Sequence, residues 1–215
     1  ASNLELGTLE RIEQLSTTKG NRPFGFLTLG DGLLFAHGKG IWMTDGIGGR
    51  ARMLLELPGG TNIGYTELVQ LGDGVLVGSM MPTGDAVLYR LDPRSGEALL
   101  LQAFPKSLIQ ASFFLAAAES WASFIRVRDT REVELWRTDG TPEGTRLFQV
   151  KAFDLEQGSF DFHALGDRML FNASTPEHGM EIWRSDGTAE GTEMVADIWP
   201  GVQGSVPSEF LAVGD

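Results

Sequence analysis

The sequence predicts an all-β fold: a β-propeller of four-stranded antiparallel blades, four of them full, plus part of a fifth contributed by the two termini. Three observations predict it. Four segments align without gaps, GIWMTDG (40–46), VLYRLDP (87–93), ELWRTDG (134–140) and EIWRSDG (181–187). Their aromatics Trp42, Tyr89, Trp136 and Trp183 stand 47 residues apart, as do Asp45, Asp92, Asp139 and Asp186. A fixed period of about 40–50 residues is the arithmetic of propeller blades, whereas a two-sheet sandwich needs no equal units. A second landmark, LGDG (29–32), LGDG (71–74), LGDR (165–168) and VGD (213–215), precedes the first; in the third unit Ala118 and Ser120 take its Leu and Asp places. Within each unit the hydrophobic period is two rather than 3.6, which reads as strands.

The blades fall at about 24–57, 65–103, 112–151 and 160–198, in one domain over 1–215 or in a fragment of a larger propeller. In the fourth unit FHALGD, RMLFNAS, GMEIWRS and TEMVADIW read as strands a to d. Each is short, apolar or β-branched, and bounded by Gly, Asp or Pro. Gly-Asp marks the a–b hairpin. DGTPEGT (139–145) and DGTAEGT (186–192) mark a longer c–d turn whose Asp accepts backbone N–H groups. SLIQASFFLAAAES (107–120) has a helical look, but its place in the repeat assigns it strand a of the third blade. Segment 7–20 reads as a strand d and 207–215 as a strand a, each without companions. Either the ring closes with a reduced fifth blade, or further blades, on this polypeptide or another chain, complete it.

TDGTPEGT after ELW, SDGTAEGT after EIW, and the following VADIWPGVQGSVPSEF resemble the ELWxxDGT-repeat family of secreted or surface bacterial proteins. The match is near complete over 134–145 and 181–211 and weak at 87–93, where Pro93 replaces Gly. The resemblance implies a propeller-like fold, bacterial origin and export to the periplasm, the cell surface or the medium. It carries no established catalytic residues.

Composition narrows the function classes. Lys and Arg number 17 against 29 Asp and Glu, a net charge of −12, which argues against nucleic acid and anionic membranes as partners. With no Cys, disulfides, thiolate metal sites and Cys nucleophiles are excluded. No apolar run approaches the roughly 18–20 residues of a membrane span. Twelve of the acids fall in 151–215, against Lys151, Arg168 and Arg184.

The repeated residues have structural readings: Trp42, Tyr89, Trp136 and Trp183 fill the space between blades. Asp45, Asp92, Asp139 and Asp186, like Asp31, Asp73 and Asp167, cap turns. A ring of Ca2+-binding carboxylates is the competing reading, but calcium takes six to eight oxygens and each turn offers one Asp, with Glu143 or Glu190 in two copies. The variable b–c loops share one face with the d–a connections, and loops on a rigid scaffold concentrate binding residues. They supply the candidate ligand-binding set: His37, Asp85, Arg126, Arg128, Glu177 and His178, with Arg131 nearby and Trp121 placed near a b–c loop. Trp199, in a d–a connection, is a second off-repeat aromatic, and His163 lies in an inner strand. Nucleophile elbow, zincin and phosphate-loop motifs are absent. The expected function is a non-catalytic exported propeller that binds protein or glycan, with no cofactor unless Ca2+. The alternatives are a hydrolase or lyase with its site at the channel mouth, and a calcium-stabilised adhesin.

Overall fold

The computed structural model describes residues 22–46, 50–58, 65–105, 113–127, 132–153, 161–208 and 210. The described residues form four four-stranded antiparallel sheets and no helix, and so none that could cross a membrane. Blade 1 comprises β1 (Phe24–Leu29), β2 (Gly32–His37), β3 (Gly40–Thr44) and β4 (Arg52–Glu56). Blade 2 comprises β5 (Thr66–Leu71), β6 (Gly74–Met80), β7 (Ala86–Leu91) and β8 (Ala98–Phe104). Blade 3 comprises β9 (Phe113–Ala117), β10 (Ala122–Val127), β11 (Glu132–Thr138) and β12 (Arg146–Ala152). Blade 4 comprises β13 (Phe162–Leu165), β14 (Arg168–Thr175), β15 (Gly179–Ser185) and β16 (Glu193–Ala196). Strand order within each sheet follows the chain.

The helical-looking stretch before Trp121 thus ends in strand β9, because its apolar residues gain a β10 partner and two neighbouring blades. In the last blade strand d stops at Ala196, short of the expected Trp199. The expected terminal strand at 7–20 lies outside the described residues, as does 207–215 apart from Pro207, Ser208 and Phe210, which belong to no named strand.

Alternation in each strand puts one set of side chains on each face of a blade, and every inter-blade space is filled from both sides. Between blades 1 and 2 lie Leu34, Ala36 and Ile41 against Val75, Val77 and Leu91. Between blades 2 and 3, Leu76, Leu88 and Phe104 meet Phe124 and Trp136. Between blades 3 and 4, Ile125, Leu135 and Phe153 meet Phe171 and Trp183. The inner strands touch in the order β1, β5, β9, β13; among the described residues no comparable contact joins β13 back to β1. In all four blades the c–d ladder carries a register shift immediately before the repeated aromatic, between Ile41 and Trp42, Leu88 and Tyr89, Leu135 and Trp136, Ile182 and Trp183. Such a bulge bends the strand and sharpens its twist.

Candidate functional site

On the face of the a–b and c–d turns, side chains are spent on the turns themselves. Asp139 Oδ1 accepts the Thr141 N–H (2.9 Å) and hydroxyl (2.7 Å), and that hydroxyl accepts the Gly144 N–H (3.0 Å). Asp186 repeats this with Thr188 (3.0 and 2.6 Å) and Gly191 (3.0 Å). The threonine hydroxyls lead, and backbone N–H groups follow, in holding both carboxyls below the usual aspartate range. Asp92 accepts the Arg94 N–H at 2.7 Å, which lowers its carboxyl too. Asp45 is exposed beside a turn whose residues 47–49 lie outside the described residues. Asp31 and Asp167 are exposed, and Asp73 pairs with Arg90 at 2.6 Å. A cleft of about 580 Å³ on this side is lined by Asp73, Arg90, Asp92 and Glu97, whose Arg90 and Asp92 are already engaged.

Tyr89, Trp136 and Trp183 sit between blades, whereas Trp42 is half-buried against His37 of its own blade and joins none of the three inter-blade cores; each indole N–H has a partner. Trp42 donates to His37 O (3.1 Å), Trp136 to Glu134 Oε2 (3.0 Å) and Trp183 to Ala173 O (3.2 Å). Tyr89 packs against the blade 1–2 core.

Three of the sequence-derived ligand candidates belong elsewhere. His37 is the last residue of β2 rather than a loop residue, because Gly38 and Lys39 alone make the turn; it is buried, and burial lowers its imidazole below the usual range. Trp121 lies on the opposite face, at the a–b turn of blade 3. It is buried there, donates to Asp167 O of blade 4 (3.2 Å), and has the Arg137 guanidinium 5.1 Å from its ring centroid. Arg126 is held in β10 by buried Glu134 (3.2 Å) and the Phe104 ring (5.1 Å). Arg128 and Arg131 lie outside the described residues. Asp85 stays on its loop, accepting the Thr83 hydroxyl at 2.8 Å, and His163 is exposed beside the Phe210 ring (5.7 Å).

Blade 4 brings the remaining candidates together. His178 Nδ1 lies 3.0 Å from Asp197 Oδ2, joining the b–c turn to the end of strand d, and Glu177 beside it is exposed. The passage after strand d is clamped by Glu181, which is fully buried. Its Oε1 accepts the N–H groups of Trp199 and Ser205 (3.0 Å each), and its Oε2 the Ser205 hydroxyl (2.5 Å). Burial pushes this carboxyl up, but the Ser205 hydroxyl and the N–H groups of Trp199, Ile198 and Ser205 outweigh it and hold it low. Val206 takes a φ of 49°, a strained value for a β-branched residue, and its N–H bonds Met180 O at 3.1 Å. On this anchored strap Ile198, Trp199, Val202 and Val206 are 55, 62, 70 and 50% exposed.

Glu181 was missed in the sequence, although a glutamate recurring one 47-residue step from Glu134, inside an apolar strand, was its signal. A second missed acid, Glu67 at the inner edge, accepts the Tyr65 hydroxyl and the Leu115 N–H (2.6 Å) of the next blade. Burial raises its carboxyl, and those two hydrogen bonds only partly offset the rise. Among the described residues no three His, Asp or Glu side chains converge as a metal-holding group.

No family model and no curated protein matches the chain. Among solved structures it is similar to regucalcin, a calcium-binding protein from Agrobacterium tumefaciens, with a TM-score of 0.53 and 16% identity over 82% of this chain and 60% of that one. It is also similar to puromycin hydrolase (0.53, 17%, 87% and 30%) and to an oligogalacturonate lyase in complex with manganese (0.53, 14%, 79% and 51%). The chain spans 30 to 60% of the length of these structures.

Proposed function

We propose that this β-propeller is an exported, non-catalytic binding module that recognises a protein partner through the strap of blade 4. One observation carries the reading: an apolar patch of Ile198, Trp199, Val202 and Val206 stands exposed on a passage that buried Glu181 holds rigid. Exposed apolar groups that cannot collapse inward mark interaction surfaces, and prior ordering lowers the entropic cost of binding. Aliphatic neighbours around a single indole favour a protein over a glycan, whose rings stack on bare aromatic faces. Export and bacterial origin rest on the resemblance of ELWRTDGTPEGT and EIWRSDGTAEGT to the ELWxxDGT repeats.

A second reading, hydrolase or lyase, is favoured by the His178–Asp197 pair on the same face, in a fold that puromycin hydrolase and oligogalacturonate lyase share. One set of measurements separates the two. Biolayer interferometry against envelope proteins and polysaccharides should find a protein ligand whose affinity drops at least about tenfold in Trp199→Ala. Ester, glycoside and polygalacturonate substrates should stay at the blank rate. Turnover by the wild type that disappears in His178→Ala would replace the binding reading with the enzymatic one.

A further inference from the structure

Blades 1 and 4 each leave more open to solvent the positions that pack between blades at the internal interfaces. Ile41, Leu88 and Leu135 stand one repeat apart, face the following blade and are fully buried; the next step, Ile182, is only half-buried. Leu54, Leu101 and Phe148 pack into the same three interfaces; the next step, Val195, is 48% exposed. On the faces that look back, Leu68, Leu115 and Phe162, each paired with the b-strand residue opposite the repeated aromatic, pack against the preceding blade. Their counterpart in blade 1, Phe26, is 61% exposed over a buried Phe35.

The polar stitching between blades stops at the same place. Arg90 lies across Gly140 of the next blade's turn, where an added Cβ would come 3.2 Å from its Cδ. Arg137 reaches Gly187 O at 3.5 Å. The third member, Arg184, is held on its own blade by Glu193, and blade 1 offers exposed Gly46 at the repeat position of Gly140 and Gly187. The open face of blade 4 thus carries what faces forward at every internal interface, and blade 1 carries what faces back.

We infer that blade 4 of one copy docks on blade 1 of a second copy, head to tail, with Val195 and Ile182 packed on Phe26 and Arg184 laid over Gly46. A head-to-tail contact between unlike faces closes only if its rotation returns to the start. The four described blades of two copies make eight, within the range of about 4–8 blades that closed propellers use. Each copy carries a net charge of −12, so association strengthens as salt screens the repulsion.

This site is separate from the Trp199 strap, and its test is independent of ligand binding. Light scattering coupled to size exclusion should give twice 23.4 kDa for the wild type at micromolar concentration and moderate salt. Phe26→Asp and Val195→Asp should each weaken self-association at least about tenfold, as loss of a central interface side chain does. Because each variant keeps one sound face, their mixture should form a one-to-one dimer that neither forms alone. Far-UV circular dichroism and melting temperature check that both variants fold. A wild type that stays monomeric, or a mixture no more associated than its parts, overturns the inference. Monomeric variants that still bind the strap's ligand separate this result from the proposed function.

Discussion

The c–d turns of blades 2 and 4 solve one problem with different parts. In both, the repeated aspartate turns its carboxylate back onto the following N–H groups: Asp92 onto Arg94 and Ser95, Asp186 onto Thr188. Blade 4 adds a layer of hydroxyls, with Thr188 bridging Asp186 to Gly191 and Ser185 facing Thr192 at 2.8 Å. Blade 2 keeps one such hydroxyl, Ser95, which bonds the Asp92 carboxylate and accepts the Glu97 N–H at 3.1 Å, and replaces the second, buried hydroxyl pair with backbone pairing, Asp92 N to Glu97 O and Gly96 N to Asp92 O. Docking on the preceding blade differs too: Gly187 lies against Trp121 and Arg137, while Pro93 and Arg94 offer carbonyls to Arg52 at 3.0 and 3.2 Å. The aspartate is therefore a local device that survives rebuilding of the loop. The second glycine belongs to the hydroxyl-layered turn alone.

The largest test of that distinction is Gly191→Ala. Its Cβ would fall 2.1 Å from Asp186 Oδ1, so that carboxylate must leave its turn or the backbone must shift, and a loss of about 2–3 kcal/mol is expected in denaturant unfolding. Gly96→Ala meets nothing closer than 3.7 Å and suffers only from its φ of +81°, a cost of roughly 1–2 kcal/mol. Equal losses would erase the difference between the turns. Asp186→Ala should cost about 1 kcal/mol, the net value of a few partly exposed hydrogen bonds.

The same carboxylates set a pH dependence. Asp139 and Asp186 ionise more readily in the folded chain than in the unfolded one, where the value is about 3.9. Their contribution is complete above that value and fades as pH falls through the lower folded one. Asp186→Asn should therefore flatten the acid limb of a melting-temperature curve below about pH 4. Arg52→Ala should cost only a few tenths of a kcal/mol, since its partners are exposed carbonyls. The smallest expected effect is that of a chelator: with Asp92, Asp139 and Asp186 already bonded within their turns, EDTA should leave the melting temperature unchanged, and a drop of several degrees would bring back the calcium-stabilised reading.

The blades were legible because Trp42, Tyr89, Trp136 and Trp183 repeat at a fixed spacing inside strands of period two, which favours a propeller over a sandwich or a solenoid, and because turn chemistry is local. Burial of the loop candidates was not. His37 looked like a loop residue because Gly38-Lys39 is so short a turn that the strand runs up to it. Trp121 was misplaced because blade 3 has lost the LGD landmark that marks an a–b turn, and its burial depends on Arg137 and Asp167, distant in sequence. Glu181 reads as an ordinary polar strand residue until the chain folds back over it to deliver Trp199 and Ser205.

The chain has five tryptophans. Trp42, Trp121, Trp136 and Trp183 are wholly or partly buried with their indole N–H groups bonded, while Trp199 stands 62% exposed on its strap. The native protein therefore carries its own optical probe. Iodide should quench a minor, red-shifted component of the emission and leave the rest bright, and Trp199→Phe should abolish that component alone. A ligand seated on the strap would shield it and shift it to the blue, so occupancy of the strap can be followed without any label.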